Sequence, residues 1–190
     1  MNDKKLILDL CGGTGSWARP YREAGYEIRT LTLPTDIRTL EAIKEPIHGI
    51  LAAPPCTEFS FAKHYHGKGN YTHNFKEGLS IVDACLRFVF VCKPKWWALE
   101  NPKGYLRRFL GVPKLTFDPW EFGDPYQKKT DLWGSFTPPV PTHSKPETMI
   151  KFSLLKSKDI RPEMYGILTR TERRAMTPQG FARAFFNANL

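Results

Sequence analysis

A cysteine stands behind two prolines in Ala53-Pro54-Pro55-Cys56-Thr57-Glu58-Phe59-Ser60, and the apolar run from Ile47 to Ala52 leads directly into it. The run predicts a buried strand, and the prolines stiffen the loop that follows. One thiol is thereby held at the mouth of a sheet. Leu99-Glu100-Asn101-Pro102 repeats the layout, with a carboxylate closing a second apolar strand. A nucleophile and an acid presented from two strand ends is a pattern suited to covalent catalysis with proton transfer. Cys11, Cys85 and Cys92 read differently: the first ends a strand and the other two lie on a long helical repeat, as small core residues do.

The elements that must position these groups alternate along the first half of the chain. Leu6-Ile7-Leu8-Asp9-Leu10 predicts a strand, and Gly12-Gly13-Thr14-Gly15 turns it into a helix over residues 16–24. Glycines there let a ligand approach the backbone closely, and the helix start supplies free N–H groups. The Lys of a phosphate-binding loop is absent. A strand follows over 26–33, then a short helix near 37–43, the strand before Cys56, and a long polar loop over 57–74 read as a functional loop or lid. Leu79, Val82, Leu86, Val89 and Phe90 recur at helical spacing over 75–92. A strand over 96–100 and a short helix near 105–110 complete the alternation. This order predicts an α/β fold, a mostly parallel sheet with helices on both faces. Further strands are expected at 115–117 and 130–136, a Pro-rich irregular stretch over 137–146, and a terminal helix over 178–188.

The chain has 190 residues, 41% of them hydrophobic, which suits a single domain spanning 1–190. Lys and Arg outnumber Asp and Glu by 28 to 19, for a net charge of +9, and basic and aromatic residues interleave in several loops. That balance favours a phosphate-bearing partner. Four cysteines without paired spacing argue against a disulfide framework or a zinc site. His64, His66 and His73 share the long loop with no Cys or acidic cluster to complete a metal site, so no metal is expected. Closure of that loop over a substrate, with Lys63 and Lys68 on phosphates, is the stronger expectation. No apolar stretch is long enough to span a bilayer, and a cytoplasmic protein without membrane attachment is expected.

Taken in order, Asp9 to Gly15, Pro54-Pro55-Cys56-Thr57-Glu58-Phe59-Ser60 and Glu100-Asn101-Pro102 resemble the cofactor, nucleophile and acid motifs of the cytosine carbon-5 DNA methyltransferases. Asp36-Ile37-Arg38 resembles that family's adenine-contacting segment. Gly123 to Thr130 resembles its later substrate motif, and residues 178–188 its C-terminal helix. The resemblance implies a Rossmann-like, S-adenosylmethionine-dependent fold. It implies that Cys56 attacks carbon 6 of cytosine, that Glu100 holds or protonates ring nitrogen 3, and that Asn101 orients Glu100. Lys129, with Lys128, falls where relatives carry substrate-binding arginines. Asp9, Leu10, Cys11, Gly12, Gly13, Thr14 and Gly15 would cradle the amino-acid end of the donor. Asp36 and Ile37 would meet its adenine, and Pro54 and Pro55 would line the path to the base.

Four departures qualify the resemblance. Relatives end the second strand with an acid for the donor ribose, whereas this chain reads Thr30-Leu31-Thr32-Leu33, leaving Thr32 or Asp36 to substitute. Cys11 stands where relatives often place an aromatic, and lysines replace arginines, giving point charges without the planar fork. Only residues 137–176, basic and Pro-rich, occupy the place of the family's target recognition domain. Duplex or single-stranded DNA is the expected partner. A modified sulfonium donor, a free cytosine nucleotide, RNA, or a catalytically dead nucleic-acid-binding scaffold are the alternatives; recognition sequence and oligomeric state are not legible.

Overall fold

The computed structural model describes residues 4–41, 43–61, 72–152, 155–156, 158 and 162–190. A six-stranded sheet is built from β1 (Leu6–Leu10), β2 (Glu27–Leu31), β3 (Ile47–Ala52), β4 (Trp96–Pro102), β5 (Leu115–Phe117) and β7 (Thr130–Ser135), in the order β2-β1-β3-β4-β7-β5. The first four run parallel. β7 and β5 close the sheet antiparallel. A separate parallel pair joins β6 (Tyr126–Gln127) to β8 (Ile150–Lys151). The fold is Rossmann-like, with a mostly parallel sheet.

The apolar runs of β1, β3 and β4 are continuous because both faces of the sheet are covered. Neighbouring residues point to opposite faces. Leu8, Ile50 and Leu99 pack with Val82, Cys85 and Phe88 of α2 (Phe75–Cys92), while Ile7, Leu51 and Ala98 pack with Tyr21 of α1 (Arg19–Glu23) and with Phe181 and Phe185 of α5 (Gln179–Ala188). α2 begins at Asn74, whose side chain accepts from Glu77 N at 3.1 Å, and ends at a left-handed Lys93, matching the expected 75–92.

Two expected helices differ. The one expected over 16–24 is helical only over Arg19–Glu23, because left-handed backbone at Cys11, Gly13 and Gly15 winds the preceding residues into turns. No helix forms over the described part of 37–43. Asp36 instead accepts from Arg38 N at 3.0 Å, and Thr39 Oγ1 donates to the Asp36 carbonyl at 2.9 Å, so local side-chain bonds compete with the helix. Conversely, α4 (Arg170–Ala175) interrupts the basic C-terminal stretch, after α3 (Arg107–Leu110) has followed β4 as a single turn.

α5 depends on its aromatic face. Phe181 is fully buried and stacks on Phe117 with ring centroids 3.8 Å apart. Phe181→Ala is expected to destabilise the fold by about 3–5 kcal/mol, measured by urea denaturation.

Candidate active site

Parallel pairing of β3 with β4, register Ala52 opposite Leu99, brings the two C-terminal strand ends side by side. The loop after β3 is then fixed at three points. Asn101 Nδ2, fully buried, donates to the Pro54 carbonyl at 3.0 Å. Phe59 N and Ser60 N both donate to the Cys56 carbonyl, at 3.0 and 2.9 Å, and Phe59 is buried against the core. Tyr105 N donates to the Phe59 carbonyl at 2.8 Å. Asn101 therefore holds the cysteine loop through Pro54, whereas the resemblance implies that it orients Glu100.

A cavity of about 600 Å³ opens at these strand ends, and Cys56, Glu100 and Lys128 line it together with Pro54 and Pro55. Burial pushes the Cys56 thiol up, opposed by the Lys128 charge and reinforced by Glu100. Burial likewise raises the Glu100 carboxyl, again opposed by Lys128 and reinforced by Asp131. The area Glu100 retains faces the cavity, so it is deep within the protein without being wholly covered. Both groups thus favour their neutral forms at rest, and Lys128 is the cation that acts on each. Its ammonium donates to the Arg174 carbonyl at 3.2 Å and lies 5.1 Å from the Phe152 ring centroid. Lys129 is exposed, outside the cavity, and its carbonyl accepts from Lys103 N at 2.8 Å.

The other arm of the cavity is the turn after β1, where Asp9, Cys11, Gly12, Gly13 and Thr14 line the wall. Gly12 must be glycine, since any Cβ there would collide with the Asp9 carboxyl. Asp9 is 1% exposed, its Oδ1 has no partner among the described residues, and Oδ2 accepts weakly from Thr30 Oγ1 at 3.4 Å. Burial pushes its carboxyl up to about 6, against the opposing pull of Arg22 and Thr30. An orphaned buried acceptor in a glycine cradle fits the ammonium of a nucleoside that carries an amino acid, such as S-adenosylmethionine. Leu10 points into the core, and Gly15 borders the turn without lining the cavity. The Cys11 thiol is lowered by a hydrogen bond with Cys85, whose own thiol is raised by it.

Thr32 and Leu33 line the cavity. Asp36 and Ile37 do not. Arg38 grips the Asp36 carboxylate at 2.7 Å and reaches Glu77 at 2.7 Å, while Ile37 is buried and its carbonyl accepts from Arg87 on α2 at 2.9 Å. His73 stacks on Phe75 and its Nδ1 lies 2.7 Å from the Glu58 carbonyl. His64, His66, Lys63 and Lys68 lie outside the described residues. Among the described residues no group of three potential metal ligands forms, and no helix is long and apolar enough to cross a membrane.

Sequence reasoning missed the third wall, where Met164, Leu168, Glu172 and Thr177 face the same cavity. Thr177 N donates to Ser16 Oγ at 2.8 Å, closing this wall onto the glycine turn. The signal was present: Thr169-Arg170-Thr171-Glu172 is a capping box, with both reciprocal bonds formed at the start of α4.

No family model matches the chain, and no curated protein sequence does. Solved structures do. A DNA modification methyltransferase encoded within an Escherichia coli prophage is 16% identical, with TM-score 0.49 over 70% of this chain and 47% of that one. A triple mutant of DNMT2 from Spodoptera frugiperda is 16% identical, with TM-score 0.41 over 78% and 55%. The Entamoeba histolytica methyltransferase EhMeth is 10% identical, with TM-score 0.44 over 78% and 57%. The chain spans about half the length of the structures it is similar to. Of these three structures, the first is described as a DNA modification methyltransferase and the third as a methyltransferase.

The buried Asp9 gives a signed pH dependence. Its folded carboxyl holds a proton from 3.8, the ordinary value, up to about 6, so ionisation weakens the fold as the pH rises through that window. Asp9→Asn is expected to stabilise the protein near neutral pH by on the order of 3 kcal/mol. The gain should disappear below 3.8, measured by urea denaturation across the range.

Proposed function

We propose that this chain transfers a methyl group from S-adenosylmethionine to carbon 5 of cytosine in DNA through a transient bond to Cys56. The observation that supports it is a single cavity in which a thiol, a carboxyl and a lysine at one end meet a glycine turn with an unpartnered carboxyl at the other.

Carbon 5 of cytosine is a poor nucleophile until the ring is converted to an enamine. The Cys56 sulfur, deprotonated as the base enters, adds to carbon 6. Glu100, whose neutral form burial favours, would donate to ring nitrogen 3 and neutralise the charge that develops there. Of the two lysines that the resemblance places in the substrate motif, Lys128 acts on the Cys56 thiol, easing its ionisation, and would be the one that steadies the ring. When bound, S-adenosylmethionine supplies an electrophilic methyl sulfonium. Asp9, Gly12, Gly13 and Thr14 would hold its amino-acid end, Thr32 and Leu33 would border its nucleoside, and Pro54 and Pro55 would separate donor from base. Once carbon 5 has taken the methyl, leaving S-adenosylhomocysteine, its proton would go to a base such as water, the carbon–sulfur bond to Cys56 would break to return the thiolate, and ring nitrogen 3 would give its proton back to Glu100.

Residues 137–176 act here as a basic arm along the phosphate backbone, within one catalytic unit, and no separate recognition domain is needed. Base extrusion from a duplex is costly without a wedge to fill the gap, so single-stranded DNA is a good acceptor.

The test is transfer of labelled methyl from S-adenosylmethionine to duplex DNA, single-stranded DNA, RNA and dCTP offered in parallel. Label is expected in DNA and absent with Cys56→Ala; label confined to RNA or dCTP contradicts the acceptor. Lys128→Met should lower the rate by roughly 100-fold, the scale of one lost electrostatic contact, while Lys129→Met changes it less than about threefold.

A further inference from the structure

The loop that carries Cys56 ends on an exposed aromatic ring. Phe59 N and Ser60 N both donate to the Cys56 carbonyl, so the chain winds one tight turn away from the thiol, and Phe61 follows directly. Phe61 is 46% exposed. Single apolar side chains on a surface are ordinary. This one is braced. Its ring lies 4.7 Å from the Tyr105 ring at 83°, and Tyr105 packs in turn against His73 at 4.9 Å and Phe75 at 5.7 Å. Tyr105 N donates to the Phe59 carbonyl at 2.8 Å, which fixes the two segments to each other. The plane of a surface ring is thereby set before any ligand arrives.

Cations stand on the same segments. The Arg108 guanidinium lies 4.7 Å from the Tyr105 ring centroid, and Arg108 is exposed. Lys103 is exposed too, and its N–H donates to the Lys129 carbonyl, which seats it beside the segment that carries Lys128 into the cavity. Neither Lys103 nor Arg108 forms an ion pair among the described residues. The acids of these segments are engaged elsewhere: Asp131 pairs with Arg107, and Glu58 accepts from Asn74 N at 2.6 Å. Cys56 and Pro102 line the cavity, so the braced ring and the two cations stand on the chain segments that leave its wall.

We propose that Phe61, braced by Tyr105, is a stacking platform for the nucleobase next to the target cytosine in a single strand, with Arg108 and Lys103 contacting the adjoining phosphates. One helical turn advances about 5.4 Å, which reaches one or two nucleotides along a strand whose stacked repeat is about 3.4 Å. The inference rests on DNA being the acceptor, as proposed above, and names how the strand beside the target is held. Every base has a π-face, so such a platform fixes the path of the strand without reading its sequence.

The test is fluorescence-anisotropy titration of wild-type protein and Phe61→Ala with a short oligothymidine carrying one central cytosine. Two further strands have an abasic residue immediately 5′ or 3′ of that cytosine. Phe61→Ala is expected to weaken binding of the intact strand about 10-fold, the scale of one base–aromatic stack, and one abasic strand should weaken the wild type by a similar factor. Together the two changes should cost no more than about threefold beyond either alone, because each removes the same contact. Phe61→Tyr should bind the intact strand within about threefold of the wild type. Arg108→Gln and Lys103→Gln should each reduce the slope of log affinity against log salt by about 0.7. Losses that multiply in full overturn the platform, since a variant weakened through misfolding still senses the missing base. Unchanged salt slopes in both cation variants overturn the phosphate contacts. Tight binding that does not depend on Phe61 contradicts the platform alone, whereas a wild type that binds no strand contradicts the DNA reading itself.

Discussion

A buried hydrogen bond from Asn101 to the Pro54 carbonyl, 3.0 Å long, ties the ends of two parallel strands together, and the geometry of the site depends on it. The Pro54 carbonyl lies beyond the end of β3, outside the strand ladder. Asn101 satisfies it from the side. Such a bond contributes only about 1 kcal/mol net, yet a buried carbonyl left unpaired would cost more, and this asymmetry makes the contact hard to give up. With that contact in place, the cysteine at the end of β3 and the glutamate at the end of β4 face one cavity. Ligand sites of open α/β sheets lie at these carboxyl ends, where the strands stop and loops from both faces converge.

Electrostatics then set the resting state. Burial favours the uncharged forms of Cys56, Glu100 and Asp9 alike. A protonated Glu100 is what donation to a ring nitrogen requires. In the proposed reaction a protonated Cys56 is not yet a nucleophile, so the thiol would be activated as substrate arrives and water leaves. Lys128 is placed for that step. It is positioned by the last turn of α4, whose Arg174 carbonyl accepts its proton, and by the Phe152 face, which Arg174 covers as well at 4.4 Å. The C-terminal wall therefore does more than shut the cavity; it aims the cation. Asp131 pairs with Arg107 at 2.5 Å and accepts from Thr116 Oγ1 at 2.8 Å, which ties β7 to β5 and α3.

The sheet, α2 and the positions of Cys56 and Glu100 were legible because each rests on a local signal: an apolar run, a helical repeat, a proline pair. Asp36 and Ile37 carry the residue types of an adenine contact, but an Arg38 fork and the underside of α2 claim them. Lys128 and Lys129 are equivalent in a sequence, whereas successive side chains on extended backbone point opposite ways, so only pairing could say which one faces inward. The capping box that starts α4 was readable in Thr169 and Glu172, yet nothing local reveals that this helix returns to the glycine turn. That contact is made by Thr177 and Ser16, 161 positions apart in the chain.

Covalent attack by Cys56 is tested most directly by intact-protein mass spectrometry after incubation with S-adenosylmethionine and DNA carrying 5-fluorocytosine. Fluorine at carbon 5 cannot leave as a proton does, so the last elimination is blocked. The expected result is a protein–DNA adduct, resistant to denaturation, that maps to the peptide containing Cys56. Methyl transfer to ordinary cytosine by the same preparation, with no adduct on the fluorinated DNA, would contradict a thiol-linked route.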